Sequence, residues 1–404
     1  MTNDYHFEVE NYRLDSSLLN VLSPEDSIFI SSRGVYICRG VLDTFPAKDI
    51  VEVLQALEGT SANDHKPFAI FGQTFYPQSN NKADNRIALP QEMIHIDNHQ
   101  WITHFHITKG SAKQARSRQG DSSAPQGFEH PHHIEMMSPE SRDQFVDKVE
   151  TVLKHIEIGD VTKVVIARQL NVSADIPIDI RLLVCELMDS QPESYVFAVN
   201  GFVGASPELL VEKFSRSIRC LPMAGTRRRH ARIDDDDADI ADLQTNMKDR
   251  NEHQVVIDDI VSKLETVASN VTSSEVPHVV RLPHVAHLAT SVTATAAPSS
   301  DLMTLITTLH PTPAVAGTPT QTAMKIIAEV EGFDRNMYGA PVGWVDSSGD
   351  GQCAIAIRCA QVKGTHARLY AGVGIVSGSD ALQEWDETQA KFGVMRDAMM
   401  NITQ

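Results

Sequence analysis

The sequence predicts an α+β fold built around a largely antiparallel sheet, and three observations point to it. Strand-like runs follow one another without an intervening helix. SIFISS and GVYICRG do so near residue 30, and APVGWVD, QCAIAIRCAQVKG and THARLYAGVGIVSG do so near the end. Hairpin-like punctuation such as SSGDGQ separates two of these runs, which favours antiparallel pairing. Segments with helical apolar spacing are interspersed, and no short solenoid repeat is present.

Taken in order, the first hundred residues mix SIFISS, GVYICRG and FAIFGQTFYP with the helix-like AKDIVEVLQALEG. Residues 109–131, KGSAKQARSRQGDSSAPQGFEHP, are polar, basic and rich in Gly, Ser and Pro, as in an exposed loop rather than a domain boundary. SPESRDQFVDKVETVLKHIEIGD then signals a helix, with Ser138 as N-cap and Pro139 in the first turn. VTKVVIARQLNVSA is a β-branched strand, IDIRLLVCELMDSQ a helix, and SYVFAVNGFVGASPELL and SRSIRCLPMAG one strand each. One long helix covers DADIADLQTNMKDRNEHQVVIDDIVSKLETVA. Strands follow in VRLPHVAHLATSVTATA, helices in SDLMTLITTLH and TPTQTAMKIIAEVE, then the three closing strands and the helix ALQEWDETQAKFGVMRDAM.

Composition narrows the function classes. The 404 residues are 42% hydrophobic, enough for a large core, and length alone allows two or three domains. A net charge of −18 argues against a nucleic-acid partner, which needs a basic footprint. Cys38, Cys185, Cys220, Cys353 and Cys359 are odd in number, scattered and without a CxxC, as in a reducing compartment. The start, MTNDYHFEVENYRLD, is no signal peptide, and no run of ~18 apolar residues could span a membrane. The expectation is a cytoplasmic protein.

Several side chains stand out against this background. In FAVNGFVGASPELLVEKF, residues 197–214, a strand breaks at Gly-Ala-Ser-Pro and resumes as an apolar run around Glu208. Apolar surroundings disfavour the ionised carboxylate, so such a group is either a paired structural charge or a general acid. Lys163 interrupts VTKVVIA, either as a snorkelling edge lysine or, if buried, as a candidate base. Asp249 and Glu252 share one helix face, as do Glu384, Glu387 and Lys391. Such faces are ordinarily solvated, yet carboxylates from two helices could hold Mg²⁺. The glycines of YAGVGIVSGS either admit an anion to the backbone or form a turn. Asp234 to Asp237 lack the glycine that an EF-hand needs and read as a solvated loop before a helix. His130, His132 and His133 read as surface residues, and no GxSxG, Walker or GxGxxG motif occurs.

A resemblance then emerges. GASPELL, LPMAGTRRR, KDRNEH, HPTPAVAGTP, YGAPVGWVD, IAIRCA, AGVGIVSGSD and EWDET..K stand in order and cover residues 160–395 densely. FISS.GVY and IFGQTFYP extend the likeness more loosely toward the N-terminus. The chain resembles the chorismate-utilising enzymes, most closely the isochorismate synthases, with salicylate and anthranilate synthases as kin. The resemblance implies a single catalytic domain over 1–404, with two mainly antiparallel sheets flanked by helices. It implies Lys163 as the base that activates a water for attack on C2 of chorismate, and Glu208 as the acid that protonates the departing C4 hydroxyl. Glu252 and Glu387 match Mg²⁺ ligands, with Asp249 and Glu384 as nearby acids. Tyr338 and Arg358 match the grip on the enolpyruvyl carboxylate. Gly225, Thr226, His287, Gly372, Gly374 and Lys391 match other pocket positions.

The implied product is isochorismate, made by a monomer without an amidotransferase subunit. The short N-terminal region leans toward siderophore rather than menaquinone supply. A salicylate synthase, which goes on to eliminate pyruvate, is the alternative enzyme, and a chorismate-binding regulator the alternative class. A regulator has no need of both an acid and a base.

Overall fold

Apolar runs pair wherever their alternate residues share a buried face. The computed structural model describes residues 5–14, 17–58, 66–76, 86–109, 128–229 and 233–403. The larger of its two main sheets has twelve strands. It begins with Tyr5–Arg13, Trp101–Lys109 and Glu92–Ile96 and continues through the hairpin Gly34–Arg39 and Ser27–Ser31. Tyr195–Val199, Phe202–Ser206, Cys359–Lys363, His366–Val376 and Lys163–Ala174 carry it to Gly317–Thr318 at the other end, and Ile134–Met137 also pairs with Lys163–Ala174. The seven-stranded sheet runs Ala268–Ser273, Val292–Ala296, Ser217–Leu221, Leu209–Phe214, Gly351–Ile355, Pro341–Asp346 and Phe68–Gly72. Among the described strands every pairing is antiparallel. The α+β, antiparallel expectation therefore holds. A three-stranded sheet (Met223–Arg228, Val285–Ala289, His278–Arg281) and a two-stranded one (Asp43–Pro46, Arg86–Leu89) add to the two that the resemblance implied.

The core draws on both ends of the chain. Phe29, Phe71, Phe145, Phe197 and Phe202 are fully buried in one cluster with Val342 and Ile355. A second cluster joins Ile28, Ile37 and Ile94 to Phe392, Met395 and Met399 of the last helix. Each such side chain contributes roughly 1.5–3 kcal/mol by leaving water.

The structure divides segments that read as continuous. SYVFAVNGFVGASPELL is three strands, because Asn200 and Gly201, at φ 51° and 79°, turn the first two into a hairpin. Asn-Gly is a hairpin signal in its own right, so this break was available from the sequence. Pro207 then ends the pairing, and Leu209–Phe214 enters the other sheet. SRSIRCLPMAG likewise breaks at Pro222, and QCAIAIRCAQVKG at residues 356–358. The single long helix is two, Ile233–Thr245 and Met247–Leu264. Asn246 starts the second by accepting hydrogen bonds from the N–H groups of Lys248 and Asp249.

Ser138 is not the N-cap of its helix. Ser141 caps Arg142–Glu157 through a capping box with Gln144, whose side chain returns a bond to the Ser141 N–H. The acidic run from Asp234 opens the helix Ile233–Thr245 rather than preceding it, and Asp236 pairs with Arg229 at 2.7 Å. Of the expected loop at 109–131, residues 110–127 lie outside the described residues; Lys109 closes a strand. No helix among the described residues is long and apolar enough to cross a membrane.

Candidate active site

Three crossings between sheets deliver side chains into one cavity of about 600 Å³. The first is Ser206-Pro207-Glu208, where Ser206 Oγ accepts the Glu208 N–H at 3.2 Å and the Glu208 carbonyl accepts from Ile355 at 3.1 Å. The second, at Pro222, places Met223 and Gly225. The third ends on Arg358, whose φ of 51° turns a buried guanidinium out of the strand line. Helices Met247–Leu264 and Ala381–Asn401 add the acids. Lys163, Glu208, Gly225, Thr226, Asp249, Glu252 and His287 line this cavity. So do Tyr338, Arg358, Gly372, Gly374, Glu384, Glu387 and Lys391, so every residue that the resemblance assigned to the pocket lines it.

Their environments overturn several bland readings. Lys163 is 2% exposed and is paired on both sides, with Thr318 and with Val376, so it is no edge lysine. Its Nζ meets Glu252 Oε1 at 2.8 Å. Glu208 is 4% exposed, and burial pushes its carboxyl up to about 7 against the pull of Lys163, Arg358 and Lys391. Burial would raise Glu252 too, but Lys163 and Lys391 outweigh it and hold that carboxyl below its ordinary value. Glu384 is buried rather than solvated, and burial together with the charge of Glu387 lifts it to about 7. Lys391 Nζ bridges Glu387 at 2.6 Å and the Gly372 carbonyl at 2.9 Å.

A polar chain fixes Arg358. The guanidinium only donates, so His287 Nε2, 2.9 Å from Arg358 Nη2, must accept. The imidazole proton therefore sits on Nδ1, facing the Gly225 carbonyl at 3.2 Å and Thr226 Oγ1 at 3.1 Å. Burial, with Arg358 and Lys391 nearby, keeps His287 neutral by driving its pKa well down. Burial also raises the Tyr338 hydroxyl, which stays a neutral donor, and the ring stacks on Tyr370 at 5.2 Å.

Of the glycines of YAGVGIVSGS, Gly378, at φ 80°, lies in a turn, whereas Gly372 and Gly374 do not. Gly372 and Gly374 stand inside the strand His366–Val376. A Cβ on Gly372 would lie 2.5 Å from the Tyr338 hydroxyl, and one on Gly374 would lie 2.6 Å from Glu252 Oε1 and 2.9 Å from Lys163 Cε. They make room for functional side chains.

Sequence reasoning missed Arg227 and Lys248. Arg227 pairs with Asp249 at 2.6 Å, and Lys248 reaches Glu384 at 3.5 Å. The usable signal was physical: buried acids need counter-charges, and both cations lie within quoted motifs.

The oxygen-only donor set suits a hard cation. Burial raises Asp249 and Glu384, with the charge of Glu252 adding to the first and that of Glu387 to the second, so these acids crowd one another. Among the described residues no three of these acids bring ligand atoms within 4.8 Å of one another. Mg²⁺ needs only one or two carboxylates and keeps positions for water and substrate, so Glu252 and Glu387 fit it.

A buried acid poised near neutrality and a buried lysine within one pocket are the equipment of an acid–base enzyme. The chain belongs to the family of chorismate binding enzymes, which matches residues 47–400. It is 30% identical over 400 residues to isochorismate synthase DhbC of Bacillus subtilis (strain 168), covering 95% of each chain. Isochorismate synthase MenF of the same organism is 36% identical over 262 residues, 64% of this chain and 56% of that protein. The match thus spans little more than half of that relative. A crystal structure described as a putative 2,3-dihydroxybenzoate-specific isochorismate synthase, DhbC from Bacillus anthracis, aligns with a TM-score of 0.79 at 28% identity. That alignment covers 95% of this chain and 98% of the other.

Proposed function

We propose that the protein is an Mg²⁺-dependent isochorismate synthase, acting as one catalytic domain that interconverts chorismate and isochorismate. The observation that carries this reading is the placement of Lys163 and Glu208, both buried, in one cavity, with the Glu208 carboxyl held near 7. Lys163, as the neutral amine, takes a proton from the water that attacks C2. The ring double bonds shift, the C4–O bond breaks, and Glu208 supplies the proton with which the C4 hydroxyl leaves as water. One water enters and one departs, so the reaction is an isomerisation and runs both ways.

Tyr338 and Arg358 hold the enolpyruvyl carboxylate, the first as a neutral donor and the second through its fork, aimed by His287. Gly225, Thr226 and Lys391 complete the enclosure. Mg²⁺ held by Glu252 and Glu387, with Asp249 and Glu384 positioned for its waters, would neutralise the ring carboxylate and fix the ring's orientation. Water as nucleophile requires no amidotransferase, and a pocket assembled within one chain supports a monomer. The likeness over 95% of the chain to DhbC proteins, one of them described as 2,3-dihydroxybenzoate-specific, supports a catecholate siderophore route, and MenF proteins match as well. Five free cysteines support a cytoplasmic setting.

Two measurements test this. Lys163→Ala should lower kcat at least ~10²-fold while chorismate still binds, as general-base loss does. Near wild-type turnover would remove the lysine from the mechanism. Purified protein with chorismate and Mg²⁺ should yield a mixture of chorismate and isochorismate, with pyruvate a trace. Pyruvate and salicylate appearing in step with chorismate loss would make the enzyme a salicylate synthase instead.

A further inference from the structure

At the far end of the twelve-stranded sheet from this pocket, Glu92, His104 and His106 gather on one face of the adjacent strands Glu92–Ile96 and Trp101–Lys109. The register explains the meeting. His106 lies directly across from Glu92, and His104, two residues earlier on the same strand, shares its face. His104 Nε2 is 3.4 Å from Glu92 Oε2, and the two imidazole rings are 4.0 Å apart at 38°. One ligand atom from each residue falls within 4.8 Å of the other two. None of the three lines the catalytic cavity.

We propose that Glu92, His104 and His106 bind a single transition-metal ion of the zinc class, with water in the fourth position. Two ligands bonded to a tetrahedral ion at 2.0–2.1 Å stand roughly 3.3 Å apart, close to the His104–Glu92 separation already present. Two imidazoles and one carboxylate are the donors of a three-ligand zinc site, and imidazole suits zinc far better than magnesium. His104 Nδ1 faces the Tyr12 hydroxyl at 3.4 Å, which leaves Nε2 as the ligand and orients the ring from the neighbouring strand.

Among the described residues the Arg39 guanidinium pairs with the cluster, its Nη1 3.4 Å from Glu92. Its Nε and Nη2 are taken by Asp26 at 2.8 and 2.9 Å, and Nη2 also by the Val21 carbonyl at 2.8 Å, so Nη1 alone reaches Glu92, on Oε2 at 3.4 Å. Across the other edge, Glu8 pairs in register with His106 and Glu10 with His104, which adds negative charge around the ion. The ion would tie together strands that otherwise hold by their hydrogen-bond ladder. The ion is separate from the Mg²⁺ proposed for the pocket.

The test uses the untagged full-length chain, stripped of metal and titrated with Zn²⁺ by equilibrium dialysis in excess Mg²⁺. Co²⁺ serves as a visible-absorption probe of tetrahedral nitrogen and oxygen ligation. One equivalent of Zn²⁺ should bind without displacement by Mg²⁺ and should raise Tm. The double variant His104→Ala, His106→Ala should lose that equivalent, and Glu92→Gln should weaken it at least about tenfold, while both keep wild-type chorismate turnover. Should the double variant fail to fold, Glu92→Gln, which preserves side-chain shape, carries the test alone. Absence of stoichiometric Zn²⁺ binding, competition by Mg²⁺, or undiminished binding in the variants would overturn the site.

Discussion

Glu208→Gln is expected to cost activity and add stability, in opposite directions and with different pH dependence. The amide cannot deliver a proton to the departing C4 hydroxyl, so kcat should fall at least ~10²-fold with binding retained. In the wild type the acid titrates at about 7, so kcat should decline as pH rises above that value. The stability effect follows from the same burial. The folded carboxyl holds its proton to about 7 against an ordinary 4.5. Below ~4.5 both folded and unfolded forms are protonated and the group contributes nothing. Between ~4.5 and ~7 only the unfolded form ionises, so stability drains away as pH rises and levels off at a cost of roughly 3 kcal/mol. Gln carries no such penalty. Denaturant unfolding should therefore show the variant gaining on the wild type at pH 8 and not at pH 4. Equal turnover would remove the acid role, and a pH-independent stability difference would show that Glu208 is not held protonated.

Chelation of divalent metal is expected to abolish turnover while leaving the fold intact, and added Mg²⁺ should restore it. The structure supplies the reason that the two can separate. Glu252 already has Lys163 at 2.8 Å, and Glu387 has Lys391 at 2.6 Å, so neither carboxylate is left as a bare buried charge. Glu384 meets its burial by remaining protonated up to about 7. Circular dichroism and Tm should change little with chelator, whereas chorismate consumption should stop. Full activity in excess chelator would end the metal assignment, and wholesale unfolding would make the metal structural.

Much of this was legible in the chain. Hairpin spacing and β-branched runs carry the antiparallel α+β class, because side-chain alternation and turn residues act locally. The long motifs carry the pocket, since each crossing segment contains its own functional residue: Glu208 in GASPELL, Gly225 in LPMAGTRRR, Arg358 in IAIRCA. An acid in an apolar run already announced a raised pKa, and that inference needed no partner.

What lay beyond the sequence is what depends on the far side of the cavity. A continuous apolar run looks the same whether it stays in one sheet or passes at a proline into another, so the changes of sheet at Pro207 and Pro222 escaped. Local spacing placed Glu384 and Glu387 on one face, but only tertiary packing buries Glu384 and, with the charge of Glu387 beside it, raises its pKa. Likewise the pairing of Lys163 with Glu252 joins a strand to a distant helix, and the Glu92, His104 and His106 cluster depends on which strand lies beside which. Sequence by itself determined the residue types and their local geometry. Tertiary structure decided which charges face one another without water, because desolvation and Coulombic coupling act through space between segments that the chain's order does not make neighbours.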